Sequence, residues 1–558
     1  MPGRNAMKSE PAERLTWRNW GWAVVGCSLL MMPAIVWLWL DHAVWDWDCA
    51  EYGYFGIDLW RTLWTQPKLF PWMFFHGVGP KAPLMIWMGG MLMPLRHVFG
   101  GAQGVFMGLV LFFQGGSLLL TWRCALEVSR SKHMAWMVTI LFSGMPLFAG
   151  LSHFYMTEPM QLFAVWLVWL LALCGQHWGF WKLLGGLSWA GALVLGSKAS
   201  TPIYCVVPGL CAWWWLWKAF REKRWGWNGW LGMAALAGGM ALGVVALWYV
   251  VDFSAMLSKV RDASFSEVAY QFGYADTFAN KLVYWCGATW RSITPTGWVS
   301  GLLIVLLVSM AWVRLACWPS LTLNDKKKRA FVVGLALVQA VVTYAILAKN
   351  ISTPVRYVYA LLPTIVLLWT GLFGGEGKRW PTLACAMLLV AWWGTGHVYY
   401  LGGIPSSEVA AARWWHGPAR DSSHLRQVEG LVEELNVPEY DGIYHLCGVS
   451  CPWLSGSTLN YYAALRSLDA DCRTQFGRLG NGPLNPEAAW SRVHGELGSF
   501  IAISDAAREQ VTTDSPDVEV EILQRIRHDE RFVHEPRPEW PDLLLFRGRA
   551  RNTMATPE

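Results

Sequence analysis

Repeated apolar runs decide what this chain can fold into, because a stretch of about 20 apolar residues is long enough to cross a bilayer as a helix. Such runs fall at roughly 20–40, 103–122, 133–154, 159–175, 183–200, 203–218, 229–251, 297–316, 330–348, 357–374 and 381–401 of the 558 residues. Inside a bilayer only helices and closed barrels satisfy their own backbone groups, and runs of this length read as helices. The composition agrees: 54% of residues are hydrophobic and 15% are charged, against about 25% charged in an ordinary soluble chain. The 40 Trp fit the same picture, since Trp collects at membrane–water boundaries. The first run, Trp20 to Leu40, follows Arg4, Lys8, Arg14 and Arg18. It is too long for a signal-peptide core and reads as an uncleaved span, with residues 1–19 in the cytoplasm.

The segment Pro83 to Phe99 is apolar but short, and Gly89, Gly90 and Pro94 interrupt it. Charge assigns it. If it does not cross, the clusters Arg123/Arg130/Lys132, Lys182, Lys218/Arg221/Lys223/Arg224, Arg314/Lys326–Arg329 and Lys378/Arg379 all lie on the cytoplasmic side. If it crosses, all of them flip outward. Basic residues in short loops favour the cytoplasm, so the first arrangement is expected, with 11 spans. Residues 41–102 then form a long first external loop with 83–99 as an interfacial or re-entrant helix. A second external loop spans 252–296, which is long for a plain connector. Its aromatics Tyr270, Phe272 and Tyr274 are candidate lid residues.

Residues 405–558 differ in kind. They hold 15 Arg, no Lys and 23 acids, out of 45 bases and 39 acids in the whole chain. Helical spacing over His424–Leu435 and strand-like runs at Asp441–Leu446, Ser499–Ile503 and Leu543–Phe546 predict a small α/β domain. The fold class expected is therefore an α-helical polytopic membrane protein, 20–404, with an external α/β domain, 405–558. Cys447, Cys451 and Cys472 lie in that domain. In an oxidising compartment two of them can pair as a disulfide, whereas zinc needs further ligands. Basic residues split among short loops exclude a nucleic-acid face.

This topology gathers the unusual polar residues on one side. The first loop opens with Asp41, Asp46, Asp48 and Glu51, and on a helix Asp48 and Glu51 share a face. Paired carboxylates suit proton transfer, cation binding or plain solvation. His76, Lys81, Glu158, Lys198 and Arg356 fall on the same side. Interfacial snorkelling is the bland alternative for Lys198 and Arg356.

Five segments then carry a resemblance. Asp48-Cys-Ala-Glu51-Tyr52 resembles the Asp-Glu-x-x-Tyr first-loop motif of the C-superfamily membrane glycosyltransferases. Gly79-Pro-Lys81-Ala-Pro83-Leu84, running to Phe99-Gly100, resembles their Lys/His-Pro-Pro-Leu segment. Tyr155-Met-Thr-Glu158 is similar to the acidic start of their fourth span. Leu195-Gly-Ser-Lys198 is similar to their Thr-Lys-Gly span end, and Pro354-Val-Arg356-Tyr357 to Pro363 resembles their Arg-Tyr segment. The protein O-mannosyltransferase and lipid A aminoarabinose transferase families share this order. Cys49 stands where the motif has Glu, and Ala82 where it has Pro.

The resemblance implies an inverting transfer from a polyprenyl phosphate sugar to an acceptor hydroxyl at the outer face. Asp48 is the implied general base, with Glu51 beside it. Lys198, Arg356 and Lys81 are the implied phosphate ligands. Tyr52, His76, Glu158 and Tyr357 are candidate sugar or acceptor contacts. Asp48, Glu51 and Glu158 also offer oxygen ligands for a divalent metal, although their spacing does not demand one. Implied partners are the donor lipid, the membrane and a protein, lipid or glycan acceptor. The expected location is a bacterial cytoplasmic (inner) membrane, with the C-terminal domain periplasmic. A transporter would place ionisable groups at span midpoints, which are nearly free of them here. A polysaccharide ligase would concentrate Arg and His in a late loop. A non-catalytic scaffold of envelope assembly would not depend on Asp48 or Arg356.

Overall fold

The computed structural model describes residues 16–79, 81–226, 228–265, 276–294, 323–373, 379–402, 418–436, 444–468, 474–479, 485–495, 498–504 and 516–548, with single positions between 269 and 308. Most of the expected span 297–316, with Arg314, the aromatics Tyr270, Phe272 and Tyr274, Lys378, Cys472 and the N-terminal bases Arg4, Lys8 and Arg14 lie outside the described residues.

The chain is mostly helical. Ten of the expected spans fall on helices. Six of these are long and apolar enough to cross a membrane: α1 (Trp17–Leu40), α5 (Ala102–Ser129), α8 (Glu158–Cys174, continuing to His177), α11 (Gly229–Val251), α14 (Leu323–Lys349) and the segment Val355–Phe373, which ends in α15 (Leu362–Phe373). The expected span 133–154 is bent by 62° between α6 (Lys132–Ser143) and α7 (Pro146–Gly150). Pro146 has no N–H to donate back into α6, which breaks the helix there. Helices α9 (Phe180–Ser197) and α10 (Val206–Arg221) are shorter, at 18 and 16 residues. The helix over Arg379–Gly402, α16, covers the last expected span.

The first loop folds as three helices: α2 (Trp47–Thr65), α3 (Phe70–His76) and α4 (Leu84–Leu92). Helix α4 has 9 residues and passes into a 3₁₀ turn at Met93–His97, which Pro94 helps to set. At 1.5 Å per residue, α4 is about 14 Å long and too short to cross. The backbones of α2 and α4 meet at glycines: a Cβ on Gly90 would lie 2.9 Å from the Gly56 carbonyl oxygen. Two further helices, α12 (Phe253–Phe265) and α13 (Phe278–Ile293), lie within the second long loop.

The C-terminal part is a five-stranded sheet in the order β2-β1-β3-β5-β4, built from β1 (Tyr444–Cys447), β2 (Gln475–Arg478), β3 (Ser499–Ile503), β4 (Phe532–Glu535) and β5 (Leu543–Gly548). Strand β1 pairs in parallel with β2 and β3, while β5 runs antiparallel to β3 and β4. Alternation sends Cys447, Ile501, Ile503, Leu543 and Leu545 to one face, with α17 (Ser423–Leu435) and α18 (Gly456–Arg466). Leu446, Phe500, Ala502 and Phe546 face the other way, onto α19 (Pro486–Gly495) and α20 (Pro516–His528). The first face belongs to the same apolar cluster as Ala50, Tyr52, Ile57 and Leu59 of α2 and Met85 and Ile86 of α4. Cys447 and Cys451 are both buried and neither is in a disulfide; the Cys447 thiol donates to the Val449 carbonyl.

The bundle has two chemically different ends. At the C-terminal end of α5, the nearly buried Glu127 pairs with Arg123 at 3.0 Å, with Arg130 at 3.7 Å and with Lys328. Arg329 donates to the Ser129 carbonyl beside it. Near the other end of α5, Phe106 stacks on Tyr155, and the Tyr155 hydroxyl donates to the Met85 carbonyl. Phe106 and Glu127 are about 32 Å apart along the helix, close to the thickness of a bilayer core.

Candidate active site

At the Tyr155 end, residues from five separate stretches converge. Asp48 sits in the first turn of α2 and Glu51 one turn later. Glu158 opens α8, and Lys198 follows directly on the last residue of α9. Arg356 lies in the 3₁₀ turn Val355–Leu361 after Pro354, and Lys81 lies in the loop before α4. These are chain positions where a helix starts or stops, so the charged tips gather at one end of the bundle while the span interiors stay apolar.

The contacts form one network. Lys81 donates to both first-loop acids, 3.1 Å to Asp48 Oδ1 and 2.8 Å to Glu51 Oε2. Arg356 Nη1 donates to Asp48 Oδ2 at 3.0 Å, and its Nε lies 3.5 Å from Glu158 Oε1. Lys198 donates to the same Glu158 oxygen at 2.7 Å. Two aromatic faces support the ammonium groups. Lys81 lies 4.6 Å from the Tyr52 ring centroid and Lys198 lies 5.1 Å from that of Tyr357. Thus Asp48, Glu51, Tyr52, Lys81, Glu158, Lys198, Arg356 and Tyr357 stand together.

His76 stands apart. It ends α3 and pairs with Asp252, 3.2 Å away at the end of α11. One site contact comes from a residue that sequence reasoning passed over: Arg478 of β2 reaches Glu51 Oε2 at 3.6 Å. No motif marks it, because its place depends on how the sheet docks on α2.

Accessibility divides the network. Glu158 is 1% exposed, whereas Asp48 keeps 39% and Glu51 28% of its side-chain surface. The Asp48 carboxyl sits in a protein-walled recess that remains reachable. Enclosure works to raise its pKa, but Lys81 and Arg356 outweigh that and hold it well below the usual carboxylate range. For Lys81 the balance is reversed: enclosure works to lower its pKa, and Asp48 and Glu51 raise it above the usual lysine value. Burial pushes the Tyr52 phenol up. Asp48 is therefore a firmly ionised carboxylate, able to accept a proton once a cation moves off it. Among the described residues no three His, Cys, Asp or Glu side chains group closely enough to hold a metal ion. The three acids are engaged by Lys and Arg instead.

No protein-family model and no curated protein matches the sequence. Among solved structures, the chain is similar to a crystal structure of ArnT from Cupriavidus metallidurans bound to undecaprenyl phosphate. The TM-score is 0.56 at 13% identity, over 96% of this chain and 99% of that one. A second crystal structure of the same protein, in the apo state, gives a TM-score of 0.41 at 12% identity, with 95% and 98% covered. The first likeness shows that the two chains share their fold nearly end to end.

Because the folded-state pKa of Asp48 is depressed, its ion pairs contribute stability above the ordinary carboxylate pKa of about 3.9, lost as pH falls through the lowered value. Asp48→Asn should lower the thermal midpoint of the purified protein by a constant amount from about pH 8 to pH 5. The difference from wild type should shrink only below about pH 4. A difference that vanishes already at about pH 6 would show that Asp48 is not held ionised.

Proposed function

We propose that the chain is an inverting glycosyltransferase that moves a sugar from a polyprenyl phosphate donor to an acceptor hydroxyl at the outer face of a bacterial cytoplasmic membrane. The observation that carries this reading is the convergence of Asp48 and Glu158 with Lys81, Lys198 and Arg356 at one end of a membrane helix bundle. The fold likeness to a protein crystallised with undecaprenyl phosphate supports the donor class. The opposite end, with Arg123, Arg130, Lys328 and Arg329, carries the charge expected of a cytoplasmic face. In this reading residues 20–404 are the membrane transferase, and 405–558 are a periplasmic domain.

The chemistry follows from what each group can do. The donor phosphate competes with Asp48 and Glu158 for Arg356 and Lys198, whose charges stabilise the leaving polyprenyl phosphate. As Arg356 turns to the phosphate, Asp48 loses a stabilising cation and becomes a stronger base. The acceptor oxygen attacks the anomeric carbon from the face opposite the phosphate. The acceptor proton passes to Asp48, the carbon–oxygen bond to phosphate breaks, and the anomeric centre inverts. Glu158, sealed between Lys198 and Arg356, holds these two phosphate ligands in place, and Lys81, beside Asp48, is the third. Tyr52 and Tyr357 fix the ammonium groups above their rings.

Purified protein given a panel of polyprenyl phosphate sugars and a cell-envelope acceptor fraction should release polyprenyl phosphate in an acceptor-dependent way. Asp48→Asn should fold yet lose about 10²–10⁴-fold in rate, the usual worth of a general base. Undiminished release by that variant would remove Asp48 from the base role. Orientation has its own test, in a chain whose exposed Cys286 and whose Cys472, expected in the external domain, are replaced by Ser. A cysteine at Glu487 should react with an impermeant thiol reagent in intact cells and one at Arg130 should not. Labelling at Arg130 would invert the topology.

A further inference from the structure

The C-terminal unit is seated on α2, the helix that carries Asp48 and Glu51. Tyr461 of α18 stacks on Trp45, with centroids 4.9 Å and planes 2° apart. A Cβ on Gly53 would fall 2.5 Å from the Tyr461 ring, so the absence of a side chain sets how closely α18 approaches. The Trp45 N–H donates to the Tyr462 hydroxyl at 3.2 Å, and the Trp47 indole donates to Ser450 Oγ at 2.8 Å. Before α2, Asp41 accepts from the Ala419 N–H at 2.7 Å, and the His42 N–H donates to the Ala419 carbonyl at 2.7 Å.

That seat delivers one guanidinium to the site. Arg478, the last residue of β2, donates to Ser457 Oγ and holds a terminal nitrogen 3.6 Å from Glu51 Oε2. The same carboxylate oxygen accepts from Lys81 at 2.8 Å, and Lys81 also serves Asp48 at 3.1 Å. Glu51 is thus shared between a cation of the first loop and a cation of the C-terminal sheet. The pairing is partly screened, since Glu51 keeps 28% and Arg478 39% of its side-chain surface accessible, so its direct energy is modest. Its effect on Lys81 is specific. The more of the Glu51 charge Arg478 satisfies, the less of the Lys81 charge is cancelled.

We propose that Arg478 is a positioning residue for the transfer site, holding Glu51 so that Lys81 stays available to the donor phosphate. The proposal rests on the transferase reading above. It makes the C-terminal unit a structural part of the site: the site is complete only while that unit sits on α2. Arg478 acts through Glu51 and touches neither the sugar nor the reacting oxygen.

The test measures binding of undecaprenyl phosphate to the purified full-length chain in lipid nanodiscs, in a cycle of Arg478→Gln, Glu51→Gln and the double variant. Thermal unfolding confirms that each is folded. Arg478→Gln should weaken binding by about three- to tenfold, and Glu51→Gln alone should strengthen it. In the Glu51→Gln background, adding Arg478→Gln should change binding by less than about twofold, the scatter of independent sites. Arg478→Lys, which keeps the charge, should recover most of the loss and serves if Arg478→Gln does not fold. An equal loss in both backgrounds, or no recovery with Lys, overturns the positioning role. No binding by the unmodified chain overturns the donor reading itself, and the proposal with it.

Discussion

The arrangement depends on one electrostatic constraint: a buried carboxylate at the mouth of a helix bundle must be matched by cations. Glu158 is 1% exposed and is approached by Lys198 at 2.7 Å and Arg356 at 3.5 Å. Removing one partner of such a set leaves an uncompensated charge, typically a loss of about 3–5 kcal/mol. That cost ties the start of α8, the end of α9 and the turn before α15 together at one level. Asp48 joins through Arg356 and Glu51 through Lys81, so α2 is held to the same node. The same matching makes the site adaptable. In the proposed function each cation has an acid to release when a phosphate arrives, and each release leaves a more basic carboxylate behind.

Helix α2 is the element on which the two parts of the chain agree. One side meets α4 through Gly56 and Gly90, with backbones close enough that a Cβ on Gly90 would press on the Gly56 carbonyl. Another meets α18 at Gly53 and Tyr461. Tyr52 and Ile57 of α2 share one apolar cluster with Leu459 and Ile501 of the C-terminal unit. The acids on α2 are therefore positioned from both parts, and the Arg478–Glu51 contact is the polar counterpart of that apolar seat.

Much of this was legible in the sequence because membrane helices obey strong local rules. Long apolar runs became helices, and the interruptions at Gly89, Gly90 and Pro94 correspond to a helix too short to cross. The spacing of Asp48 and Glu51 put both on one face, where Lys81 bridges them. What was not legible depends on three-dimensional docking. The bend at Pro146 sat inside a run that reads as one span, since hydropathy does not register a missing N–H. Strands β2, Gln-Phe-Gly-Arg, and β4, Phe-Val-His-Glu, do not alternate apolar with polar, so no strand pattern announces them. Arg478 ends one of these strands, and its role comes from the seat of the sheet on α2. His76 was grouped with the site because the expected topology puts it on the same side of the membrane as Lys81. Helix α3 carries it instead to Asp252.

The central claim is that a lipid phosphate takes the cations that Asp48 and Glu158 now hold. A structure of the chain with undecaprenyl phosphate bound tests it most directly. The account predicts the phosphate within hydrogen-bonding distance of Arg356 and Lys198, with the Arg356–Asp48 contact lengthened and the Asp48 carboxylate turned toward the reachable side of the recess. A phosphate seated elsewhere, with the Asp48–Arg356 and Glu158–Lys198 pairs at their present 3.0 and 2.7 Å, would contradict it.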